Sequence, residues 1–117
     1  MNTAQAQTQT TGISAQQIRA LSDEIVAKFR PQKIVLFGSH AYGTPGADSD
    51  VGLLVLMDTP LRNRQQAAQI AQAIDYHSGL DLLVRSPEEF ESRIALGDFF
   101  LRDIAMKGKV LYERSCA

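Results

Sequence analysis

A chain of 117 residues with 44% hydrophobic content can bury one compact core and is short for two conventional domains. Its 12 Lys plus Arg are balanced by 13 Asp plus Glu, so no broad basic field marks it as a nonspecific binder of nucleic acid, and any partner is recognised locally. The single cysteine, Cys116, cannot form an internal bridge, no apolar run approaches the roughly 20 residues that span a bilayer, and the start is neither basic nor apolar. A cytoplasmic location without membrane contact is the expectation.

Residues 1–12 are mostly Thr, Gln and Ala, uncharged and almost without large apolar groups, so they cannot offset the entropy of ordering and are expected to be a flexible tail. Residues 13–117 are then expected to form one domain. Ser14 with Gln17 makes a capping box, and Ile18, Leu21, Ile25 and Phe29 recur at helical spacing until Pro31 forbids continuation. The run Lys33-Ile34-Val35-Leu36-Phe37 is β-branched and aromatic and stops at Gly38, which suits a buried strand entering a tight turn. After a loop rich in Gly, Ser, Pro and Asp, a second strand starts near Asp50 and runs to Leu56, apolar on both faces as a central strand is. Asp58, Thr59 and Pro60 end it.

Ala67, Ile70, Ala71 and Ile74 predict an amphipathic helix, with Gly79 as a left-handed C-cap before an apolar strand from Leu80 to Val84. Ser86, Pro87 and Glu89 start a further helix, expected to reach Lys107 with a break near Gly97. Gly108 closes it, and Lys109 to Tyr112 forms a last short strand or an extended tail. Phe99, Phe100 and Leu101 are expected to be buried in the domain's own core, an oligomeric or partner interface being the alternative. The fold class is α/β (α+β), a small mixed sheet flanked by helices.

The stretch that carries chemistry runs from Gly38 to Val55. A Gly-Ser pair, Gly38-Ser39, at the end of a buried strand and opening a short helix offers backbone N–H groups and a hydroxyl to a phosphate. Side chains two apart on a strand project from one face, so positions 50 and 52 point to one place. Two carboxylates there would chelate a divalent ion and bridge it to substrate phosphates. Asp50 is present, but position 52 is Gly52.

In these residues the chain resembles the minimal nucleotidyltransferases of the DNA polymerase beta-like superfamily, whose signature is Gly-Ser, ten residues, then Asp-x-Asp. Ser39 is followed by ten residues, His40 to Ser49, before Asp50, and Leu53-Leu54-Val55 continues as the family's strand does. The resemblance implies a nucleotidyltransferase fold, with Gly38 and Ser39 holding the β- and γ-phosphates of ATP. It further implies that Asp50 ligates Mg2+ and that Asp81 is the third carboxylate, holding metal near the attacking hydroxyl or accepting its proton. Small members of the family are often encoded beside a helical ribonuclease toxin of the HEPN kind. The resemblance therefore implies an antitoxin that transfers AMP to a hydroxyl of that toxin.

Gly52 departs from the pattern at the second acid, a catalytic position, and removes the ligand that would bridge two metal ions. Either activity was lost naturally or the residue was changed to silence it, so the competing reading is an inactive binding module that keeps fold and partner. Asp48-Ser49-Asp50 offers an alternative acid pair in a shifted register, but Asp48 falls in the loop. His40 and Tyr42 stand where the family often has basic residues, with phosphate contact and packing equally open. His77 is read as sitting at a helix end, and Arg62 and Arg64 as facing water at the start of the middle helix.

Overall fold

The computed structural model describes residues 13–43, 50–76 and 79–115. Helix α1, Ala15–Phe29, starts as its capping box predicts: Gln17 N–H donates to Ser14 Oγ at 3.1 Å while Ser14 N–H donates to Gln17 Oε1 at 2.8 Å. It stops where Arg30 turns left-handed at φ 51° ahead of Pro31, which has no N–H to continue the ladder. Strand β1, Lys33–Phe37, follows, then a single-turn helix α2, Ser39–Tyr42, and strand β2, Val51–Leu56. Helix α3, Asn63–Ala73, leads to strand β3, Leu80–Arg85. Helices α4, Pro87–Ala95, and α5, Phe99–Lys107, precede the last strand, β4, Lys109–Glu113.

The four strands form one mixed sheet in the order β3-β2-β1-β4. Strand β1 is antiparallel to both β2 and β4, with an irregularity between Ile34 and Val35 on the β4 side, and β2 is parallel to β3 through the α3 crossover. Alternation along the strands divides the apolar side chains between two faces. Ile34, Leu36, Val51, Leu53, Val55 and Val84 pack with Ile18, Leu21 and Ile25 of α1 and with Ile70 of α3. Val35, Phe37, Leu54 and Leu56 pack with Leu101 and Ile104 of α5, and Leu83, Phe90 and Ile94 join them. Every residue of β2 is buried, as expected for a strand with neighbours on both edges and helices on both faces. The fold class is thus as expected, a small mixed sheet flanked by helices.

One local expectation changes. Helix α3 ends at Ala73, where Ile74 leaves helical geometry at φ −99° and ψ 158°, so Gly79 does not cap it. Gly79 is left-handed, at φ +49°, for another reason: its carbonyl accepts from Val51 N–H at 2.7 Å, and its missing side chain leaves room for Asp50. The helical stretch after Ser86 breaks near Gly97 as expected: Gly97 at φ +101° reverses the chain, and Asp98 restarts it by accepting from Leu101 N–H at 3.1 Å. The expected tail (1–12), His77 and Cys116 lie outside the described residues. Among those described, no helix is long and apolar enough to cross a membrane.

Candidate functional site

The strand directions decide which residues meet. Since β1 runs antiparallel to β2 and β2 parallel to β3, the end of β1 and the starts of β2 and β3 lie at one end of the sheet. Phe37 is paired with Gly52, and Gly52 with Asp81, so these three form a row across the sheet. Gly38 and Ser39 follow Phe37 directly, and Asp50 lies two residues before Gly52. The residues proposed from the sequence, Gly38, Ser39, Asp50, Gly52 and Asp81, are therefore delivered to one sheet end by three adjacent strands.

Each is placed there by local chemistry. Gly38 has φ +86° and ψ −162°, a region that only glycine occupies without strain, and the turn it makes lets Ser39 begin α2 directly off a buried strand. Its carbonyl accepts from Ala41 N–H at 2.9 Å and from Tyr42 N–H at 3.2 Å, which closes the single turn of α2. A helix start leaves N–H groups outside the helix's own ladder, and here that start is next to the acid-bearing strand. Asp50 is exposed, and its carboxylate leans toward β3: a Cβ built on Gly79 would fall 2.5 Å from Asp50 Oδ1. Asp81, also exposed, lies two residues further along β3.

The row holds a feature that sequence reasoning missed. A Cβ built on Gly52 would fall 2.6 Å from Cε2 of Phe37 and 2.8 Å from both Cδ2 and Cζ, so the phenyl ring lies across the glycine. Phe37 is only 5% exposed, and its ring meets that of Phe100 edge to face, with centroids 5.7 Å apart and planes at 89°. Strand propensity gave no reason for a glycine at 52. Its reason is packing, an aromatic side chain covering a cross-strand glycine. The signal was present in the sequence, as an aromatic residue ending β1 and a glycine two places after Asp50, but it becomes visible only once the register pairs them.

A divalent metal pair does not fit these residues. Asp50 and Asp81 supply hard oxygen donors, but the place from which a second acid of β2 would bridge two ions is occupied by a phenyl ring. Among the described residues no group of three or more His, Cys, Asp or Glu side chains is arranged to hold a metal ion. The alternative acid Asp48 lies outside the described residues.

The remaining candidates are distributed elsewhere. His40 and Tyr42 lie on α2, Tyr42 being exposed, while Arg62 caps α3 and Arg64 faces solvent. The expectation that Phe99, Phe100 and Leu101 are all buried is corrected: Leu101 is 1% exposed, but Phe99 is 76% and Phe100 53% exposed. Only one face of so short a helix can meet the sheet, and Leu101 and Ile104 take it.

The family model of the nucleotidyltransferase domain matches residues 18–112. Among solved structures, the chain is similar to a protein of Sulfolobus solfataricus whose name assigns it provisionally to the nucleotidyltransferases. The TM-score is 0.59 at 15% sequence identity, over 83% of this chain and 78% of that one. At that identity the likeness concerns the fold. No curated protein matches the chain.

Proposed function

Since the chain belongs to the nucleotidyltransferase domain family, whose general function is nucleotidyl transfer, we propose that it takes a nucleoside triphosphate at the sheet end formed by Gly38, Ser39, Asp50 and Asp81. The substrate is ATP, supplied as its magnesium complex, and the acceptor is a hydroxyl on a partner protein, a helical toxin of the HEPN kind that the transfer of AMP neutralises. The hydroxyl oxygen attacks the α-phosphorus, the bond to the bridging oxygen breaks and pyrophosphate leaves. Asp81, exposed near the start of β3, receives the hydroxyl proton. The Gly38-Ser39 turn holds the departing phosphates through backbone N–H groups and the Ser39 hydroxyl. Gly52 slows the reaction, since one missing ligand position costs several kcal/mol of transition-state stabilisation, or orders of magnitude in rate.

One observation carries this reading: three strands bring the Gly-Ser turn and both acids to the same sheet end. The test uses ATP labelled at the α-phosphate, magnesium and the protein encoded beside this chain. Label on that partner that disappears with Asp50→Asn or Asp81→Asn supports the proposal. No labelling, together with no heat of ATP binding by calorimetry, removes it.

A second reading is favoured by the Phe37 ring over Gly52, which suits a domain that keeps partner and nucleotide binding without turnover. It predicts ATP binding and a stable complex with the partner, with no label transferred by this chain.

A further inference from the structure

The proposed site invites an obvious repair, a carboxylate restored at position 52. The packing argues against so simple an outcome. The three ring atoms of Phe37 lie 2.6–2.8 Å from the point a Cβ would occupy, inside any ordinary carbon contact, so even one methyl group at 52 forces the ring to move. The ring is not a loose end: it is nearly fully buried, shares a cluster with Val35, Leu54, Leu56, Leu101 and Ile104, and is braced by Phe100. Gly52 itself is buried in the middle strand between β1 and β3, so the backbone has little freedom to yield instead.

We infer that Gly52 and Phe37 are a matched pair, in which the phenyl ring occupies the second ligand position and excludes a bridging acid. Position 52 has become part of a packing seam that runs from the sheet end through Phe37 to Phe100 on α5. Phe37 is thereby the residue that determines whether the Asp50–Asp81 end can hold metal: a carboxylate returned to 52 gains a place only when the ring gives way. The inference deepens the proposed function, and its metal part rests on that reading. Its packing part rests on the ring geometry alone.

The experiment compares the full chain with Gly52→Ala, Gly52→Asp, Phe37→Leu, and Phe37→Leu combined with each change at 52. Thermal unfolding reads the packing, and binding of Mn2+ alone, followed by electron paramagnetic resonance, reads the site. Gly52→Ala is the mild probe if Gly52→Asp fails to fold. With Phe37 in place Gly52→Ala is expected to lower Tm by roughly 4–8 °C, the shift of a small domain strained by one overpacked methyl group, and by much less beside Phe37→Leu. Mn2+ should bind the Phe37→Leu, Gly52→Asp protein about tenfold more tightly than the Gly52→Asp protein, because only there can a third carboxylate reach the ion. Additive Tm changes, or equal Mn2+ affinity with and without Phe37, overturn the inference. Neither readout involves nucleotide, so failure of ATP binding by the unaltered chain, which would end the proposed function, leaves the Tm result to be judged separately.

Discussion

At Gly38 and Ser22 the demands on single residues are opposite, and each gives a test. Gly38 sits at φ +86° and ψ −162° with nothing within 4 Å of where a Cβ would be, so a side chain there meets strain in the backbone and no steric neighbour. Gly38→Ala is expected to cost about 1–3 kcal/mol in chemical denaturation and to weaken ATP binding at the adjoining Ser39. Unchanged stability would mean that the turn has another conformation. Ser22 is fully buried on the sheet-facing side of α1, and its hydroxyl is a buried side-chain polar atom without a hydrogen-bond partner among the described residues. Ser22→Ala removes a desolvated, unsatisfied group at little loss of volume, so it should raise stability by roughly 1 kcal/mol. A loss of similar size would point to a partner for that hydroxyl.

Helices and strands were legible from the sequence to the extent that their ends are chemically marked. The Ser14 capping box, the Pro31 stop, the Ser86-Pro87 start and the Gly108 cap each stand where the local chemistry put them. The end of α3 was misplaced because Ile74 continues the apolar spacing after the helix has ended, leaving Gly79 to look like its cap. The burial of α5 was misjudged because three consecutive apolar residues cannot all face one sheet. That difference predicts contrasting variants. Leu101→Ala empties a packed position and should cost about 2–5 kcal/mol, whereas Phe99→Ala, on the solvent side, should leave stability within about 0.5 kcal/mol of the parent by urea denaturation. Similar costs for the two would show that something covers the outer face of α5.

For the molecule as a whole, the sequence marked residues that the sheet brings to one end, because Gly-Ser and Asp50 are chemical signals in one short stretch and Asp81 opens the next apolar strand. It did not reveal what fills position 52, because that depends on the register between two strands separated by a loop, and register is a property of the assembled sheet. Electrostatics tie the layers together in a way the near-neutral charge balance conceals. Lys28, by hydrogen bond, and the Asp75 N–H, at 3.2 Å, hold the Glu24 carboxyl below its usual range, linking α1 to the segment after α3 on one face of the sheet. On the other face the Leu101 N–H, and to a smaller degree Arg93, do the same for Asp98 at the start of α5. Both groups bind protons less readily folded than unfolded, so what they contribute is present above the ordinary carboxylate range and lost as pH falls through their lowered values. Tm should therefore be nearly flat from pH 6 to 8 and begin to fall only below about pH 4 to 4.5, where unfolded carboxylates take up protons first. Glu24→Gln with Asp98→Asn keeps the shapes and removes the charges, so this variant should be less stable than the parent at pH 7, with the difference shrinking toward pH 3. A difference that persists undiminished into acid would show that the two carboxylates act through geometry, with their ionisation contributing nothing.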